Sequence, residues 1–200
     1  TRIALNLKEV EYEQISIHLT KGGGEQFEAV YSEINPQNLV PTLMDGEVKI
    51  FQSMAIMEYL EEKFPAPSLL PSDPSSRARV RALANMIACD IHPLNNLRVR
   101  LYLVDEMNVT EENRQEWISH WIHIGFQAYE KYLVNSGEIG LYSHGNHPTM
   151  ADACLIPQIA NARLNKVNLS NFPLILQVEE RCQAHPAFKK ALPSNQPDGT

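Results

Sequence analysis

The chain has 200 residues, 44% of them hydrophobic and 20% charged, enough to bury a core as one unit or two small domains without disulfide or metal support. A formal net charge of −7 lacks the basic surplus with which proteins grip phosphate backbones, so nucleic acid is not an expected partner. No apolar run approaches the roughly 20 residues of a membrane span, and none is expected. The three cysteines, Cys89, Cys154 and Cys182, are widely spaced and form no CxxC or zinc pattern. They read as buried, reduced thiols, which points to the cytosol.

In chain order, Thr1–Leu7 predicts a helix with Ile3, Ala4 and Leu7 on one face. Tyr12–Ile17 alternates weakly and predicts a strand. Gly22-Gly23-Gly24 predicts a loop, followed by a short helix with Phe27, Val30 and Tyr31 inward. After the turn-rich Asn35–Pro41, Thr42–Met44 and Val48–Phe51 predict a hairpin about Asp45-Gly46. Ser53 predicts the N-cap of a helix with Ile56, Tyr59, Leu60 and Phe64 as its apolar stripe.

Pro65, Pro67, Pro71 and Pro74 then predict a stiff linker. Beyond it the pattern is helical: 75 to about 106, interrupted at Pro93; 110 to about 134; a capping-box start at Thr149–Asp152; and a start at Asn171 with Pro173 near the first position. The predicted organisation is a small α/β domain over 1–64, a proline-rich linker over 65–74 and an all-helical domain over 75–200.

Four places can carry chemistry. A cis Val40-Pro41 bond would turn the Val40 N–H and C=O outward at a sheet edge, where an extended peptide can pair; a trans bond leaves a plain turn. Gln52-Ser53 meets the positive end of a helix, which suits a carboxylate, although the Ser53 hydroxyl serves equally as a simple cap. His92, Asn95 and Asn96 share one face around Pro93, and either line a pocket or satisfy the ladder that the proline breaks. Arg77, Arg79 and Arg81 form a basic face, open to solvent or to an anion. No HExxH, phosphate loop or Gly-x-Ser-x-Gly occurs, and the histidines have no metal-ligand spacing.

Together this order resembles the glutathione transferase fold: an α/β thioredoxin-like N-terminal domain plus an all-α C-terminal helical bundle. The stretches Arg2–Lys8, Asn35–Gln37, Leu39–Leu43, Gln52–Glu62, Ile91–Leu97 and Thr149–Gln158 resemble the zeta class, over essentially the whole chain. The resemblance implies glutathione as cofactor. Val40 would hold its cysteinyl part through the backbone, Gln52 and Ser53 would take the γ-glutamyl carboxylate, and Gln26 would make a further contact. His92 would reach the ligand, with Asn96, Leu97 and Arg98 on the same wall.

The resemblance also implies an activity, the glutathione-dependent cis–trans isomerisation of maleylacetoacetate to fumarylacetoacetate in tyrosine and phenylalanine catabolism, with glutathione transferase activity. Maleylpyruvate isomerase and a non-catalytic binding module of the same fold are the alternatives. A dicarboxylate or keto-acid substrate, a homodimer and a cytoplasmic location go with the class. Two departures stand out. The family's catalytic serine, in a Ser-Ser-Cys or Ser-Ser-Ala type motif, is expected ahead of Thr1, with the first strand of the thioredoxin-like domain. The family's substrate arginine follows an Asn-Ala pair. Here Arg163 follows Asn161-Ala162 and is the candidate substrate contact, but Leu164 stands at the usual arginine position, about 100° round the helix.

Overall fold

A computed structural model of the chain describes residues 1–196, and these divide into two compact units, 1–68 with 186–196 and 69–185. The sequence expectation ended the first domain at 64 and gave the whole C-terminus to the helical domain. Local packing explains the difference. Leu69 joins the second unit, where its carbonyl accepts from Met150 N at 3.0 Å. The short helix α10 (Pro186–Lys190) joins the first, where Asn6 Nδ2 donates to Ala187 O at 2.9 Å.

In the first unit, α1 (Arg2–Leu7) buries Ile3, Ala4 and Leu7, and α3 (Ser53–Lys63) buries Ile56, Met57 and Leu60. Each buried leucine or isoleucine is worth about 1.5–3 kcal/mol against an exposed one. Lys8, 4% exposed, ties the end of α1 to α3 by pairing with Glu61 and donating to Phe64 O at 2.6 Å. β1 (Thr42–Asp45) and β2 (Val48–Phe51) form an antiparallel pair in the register Thr42–Phe51, Leu43–Ile50. Gly46 at φ +58° supplies the left-handed residue the tight turn requires.

Two local expectations differ. Residues 11–18 take no regular secondary structure, and among the described residues no strand pairs with them. A weak alternation gives half-burial without supplying a ladder partner. The short helix is α2 (Ala29–Ser32), and only Tyr31 turns inward, whereas Phe27 and Val30 are 61% and 75% exposed. Four residues make barely one turn, too short for a wide apolar stripe.

The second unit is helical. Asp73 caps α4 (Pro74–Asn85), its carboxylate accepting from Ser76 N at 2.9 Å, with Pro74 at the tolerated first position. The predicted single helix with a break at Pro93 is instead four pieces. After α4 come a π-helical turn (Met86–Ile91), α5 (His92–Asn95) and α6 (Leu97–Asp105). Pro93 has no N–H to donate, and the wider turn before it accommodates that loss.

Thr110 caps the 26-residue α7 (Glu111–Ser136), which ends on Gly137 at φ +65°. α8 (Met150–Leu164) opens on the predicted capping box, the Thr149 hydroxyl accepting from Ala151 N and the Asp152 carboxylate from Thr149 N at 2.7 Å. α9 (Pro173–Ala184) packs on α7 and α8. Among the described residues no helix is long and apolar enough to cross a membrane, and no cluster of metal-ligating side chains occurs.

Candidate active site

In the first unit the segment before β1 hangs on two buried side chains. The Tyr31 hydroxyl and Asn35 Nδ2 both donate to Leu39 O, each at 2.7 Å, and the hydroxyl also lies 3.0 Å from Thr42 Oγ1. Asn35, 1% exposed, accepts from Gln37 N at 3.0 Å. Val40 follows, 42% exposed and joined to Pro41 by a cis bond. Its N–H and C=O have no hydrogen-bond partner among the described residues.

Gln52 lies between β2 and α3 at φ +75°, ψ +117°. That region is disfavoured for any residue with a Cβ, by about 1–3 kcal/mol, and an observed outlier of this kind points to a functional position. The side chain donates to Gln37 Oε1 at 2.6 Å. Gln52, rather than Ser53, occupies the N-cap position, and its carbonyl accepts from Ile56 N. Ser53 is therefore the first helical residue, and its half-buried hydroxyl has no partner among the described residues. Gln26 is 5% exposed; its Nε2 donates to Leu19 O at 3.2 Å, while its buried Oε1 has no partner among the described residues.

In the second unit His92, Asn96, Leu97 and Arg98 follow one another around the turn from α5 to α6. His92 reaches solvent, yet surrounding protein disfavours its charged form and lowers its pKa, so the neutral ring is favoured near pH 7. Asn96 Oδ1 caps α6, accepting from Val99 N at 3.1 Å, which leaves its Nδ2 as an uncommitted donor. Asn95 turns inward, 2% exposed, and donates to Ile91 O at 2.7 Å. The two sequence alternatives thus divide: Asn95 and the Asn96 oxygen satisfy broken backbone, while His92 and Arg98 are exposed and the Asn96 amide N–H groups have no partner among the described residues.

Arg163 has a different setting. Its Nε donates to Glu179 Oε1 at 2.8 Å and its Nη2 to the second carboxylate oxygen, a fork that raises its pKa. Glu179 is 6% exposed and also accepts from Gln183. That fork is committed to holding α8 on α9. Leu164 is 77% exposed. Of the basic face, Arg79 turns out buried, donating to Ser143 O, His144 and Ser136.

The donor set fits a peptide thiol with a carboxylate end. An unpaired backbone at Val40, a free hydroxyl at a helix N-terminus and an orphaned amide oxygen at Gln26 are groups that such a ligand satisfies. Sequence reading missed Tyr31, Asn35 and Gln37 as supports. The Asn35-Pro36 turn signal was the visible clue to the second of them.

Residues 1–68 match the family model described as the glutathione S-transferase N-terminal domain. A probable maleylacetoacetate isomerase of Vibrio cholerae is 45% identical over 98% of this chain and 91% of its own length. Among solved structures, a holo maleyl pyruvate isomerase, described as a bacterial glutathione S-transferase in the zeta class, superposes with a TM-score of 0.96 at 45% identity. It covers 100% of this chain and 93% of its own. Maleylacetoacetate isomerase of Methylobacterium extorquens AM1, solved with bound malonate and GSH, gives 0.95 at 35% identity, covering 100% and 92%. The chain belongs to the glutathione transferase family, in its zeta class, the class of the maleylacetoacetate isomerases.

Proposed function

We propose that this chain is a glutathione-dependent cis–trans isomerase of maleyl keto acids, with maleylacetoacetate as first substrate and maleylpyruvate as the alternative, and with accompanying glutathione transferase activity. The observation that carries the ligand reading is the pairing of the unpartnered Ser53 hydroxyl with the strained Gln52 backbone at the start of α3. Ser53 and the helix N-terminus take the γ-glutamyl carboxylate, Gln52 orients it, Val40 pairs with the cysteinyl backbone, and Gln26 accepts a further N–H.

When bound, glutathione supplies a thiolate that adds to the conjugated cis double bond and leaves again after rotation about the resulting single bond. The helical unit supplies donors for the negative charge that develops on the substrate carbonyl oxygen: His92, the Asn96 amide and Arg98. Leu97 contributes apolar wall. With Arg163 paired to Glu179, Arg98 is the arginine of this wall available to a substrate carboxylate. Among the described residues it has no ion-pair partner. The functional unit is a homodimer, in keeping with the class, and it is cytoplasmic, in keeping with three cysteines that form no disulfide.

The test is isomerase turnover of maleylacetoacetate and maleylpyruvate with and without glutathione. Turnover that depends on glutathione is expected on at least one. Turnover without it, or none on either, refutes the proposal.

A further inference from the structure

The turn that carries His92 is anchored from behind by groups that reach no ligand in the reading above. Ile91, 1% exposed, lies against Gly125 of α7, where a Cβ would stand 2.3 Å from both Ile91 Cδ1 and Cγ1. Trp117 of α7 donates its indole N–H to Leu94 O at 2.7 Å. From α8, Asn161 Nδ2 donates to Asn95 Oδ1 at 3.1 Å, while Asn95 Nδ2 donates to Ile91 O. Asn165 Nδ2 donates back to Asn161 O at 2.7 Å and to Asn161 Oδ1 at 2.9 Å. Gln115 of α7 donates to Asn165 O.

This chain of amides has one direction. A backbone carbonyl accepts only, so Ile91 O requires the Nδ2 of Asn95, which turns the Asn95 oxygen toward Asn161. Asn161 must then present its own Nδ2, and its oxygen is left for Asn165. At the far end Asn161 O, again an acceptor only, requires the Nδ2 of Asn165. Carbonyls at both ends set every amide between them, and reversing any one puts like groups face to face. Ile91 O is the carbonyl immediately before His92. The relay therefore fixes the backbone from which the imidazole projects, with α8 as its fixed base.

We propose that Asn161 is a positioning residue for His92, acting through Asn95 and the Ile91 carbonyl. This rests on the reading of His92 as a donor to the reacting carbonyl oxygen. Without Asn161 the buried Asn95 loses the group that holds its amide, and the turn gains freedom at the residue that must be placed to within a fraction of an ångström.

The test compares wild type with Asn161→Ala, His92→Ala and the double variant in glutathione-dependent isomerase kinetics, with thermal unfolding alongside. Asn161→Ala is expected to lower kcat about 10-fold or more, while the KM for glutathione stays within about 3-fold. In the His92→Ala background it should change kcat by less than about 2-fold, because the group it positions is gone. Wild-type kinetics in Asn161→Ala, or its full effect persisting in the His92→Ala background, overturns the proposal.

Should Asn161→Ala fail to fold, the near-isosteric Asn161→Asp removes the Nδ2 donor to Asn95 Oδ1 and takes its place with the same expectations. A readout independent of turnover separates this proposal from the isomerase reading. In 13C-histidine-labelled protein the His92 ring signal, a single line in wild type, should broaden or split in Asn161→Ala. An unchanged line refutes the positioning role. Absence of wild-type turnover refutes the isomerase reading alone.

Discussion

Replacing Gly125 with alanine is a sharp test of the packing behind the His92 turn, because two effects of opposite sign compete. Gly125 lies well inside the 26-residue α7, and at an ordinary helix-interior site alanine is favoured over glycine by about 1 kcal/mol. Here the new methyl would stand 2.3 Å from Ile91 Cγ1 and Cδ1. Carbon atoms pack best at roughly 3.5–4.0 Å, so the encounter is more than about 1 Å too close at two atoms. Isoleucine is stiff at χ1, and Ile91 is 1% exposed, so its side chain has little room to rotate away. Overpacking of this kind costs about 1–3 kcal/mol. Set against the helix gain, the expected result is a net loss of about 1 kcal/mol, seen as a fall in Tm of about 2–4 °C for a chain of this length. Urea unfolding followed by circular dichroism, with Tm measured in parallel, decides it. A Tm that rises in Gly125→Ala would refute the close approach of Ile91 and α7.

In the first unit, Glu61→Gln leaves the ammonium of Lys8 buried without its carboxylate, and unfolding should show a loss of about 3–5 kcal/mol. Replacing both partners by apolar residues, Lys8→Met with Glu61→Leu, should recover most of it; a single variant within about 0.5 kcal/mol of wild type would show the pair to be inconsequential. Among the thiols, Cys89 is exposed, whereas burial pushes Cys154 up to about 12 and raises Cys182 as well. Alkylation at neutral pH, followed by peptide mass spectrometry, should label Cys89 first and leave the buried Cys182 unmodified until the protein unfolds. Early labelling of Cys182 would contradict its burial.

What the sequence made legible was local. The Asp45-Gly46 hairpin, the Thr149–Asp152 capping box, Pro173 at a helix start and the Gln52-Ser53 junction each rest on residues within one turn of one another, and the structure has them where the spacing predicts. What failed needed a partner distant in sequence. Tyr12–Ile17 has alternation, but a strand exists only with a neighbour to pair with, and no local pattern supplies one. The Glu179 partner of Arg163 was equally out of view, lying 16 residues on in the next helix. Cys89 reads as a small buried residue by type, yet it faces outward from a π turn whose extra residue shifts the helical phase. Asn161 and Trp117 carry no signal of their own. Each is an ordinary helix residue until the proline of another helix leaves it a carbonyl or an amide to hold.

Each unit breaks a local rule at a place where the ligand reading puts a contact. A regular strand-to-helix junction would not need Gln52 in the left-handed region, and glycine there would remove the strain. A regular helix through 86–100 would satisfy every backbone group without Asn95, Trp117 or the Asn96 cap. Straightening that helix, at about 100° per residue, would keep 92 and 96 within about 40° of each other but swing 98 about 160° away from 96. The π turn and the break at Asn96 instead leave His92 and Arg98 exposed and the Asn96 amide half-buried, while Asn95 turns in. Asn35 and Gln37 on one side, and the amide relay on the other, are what make those conformations tolerable. Local disagreement with propensity, compensated by dedicated buried partners, is what a chain shows where geometry is held for chemistry rather than for stability.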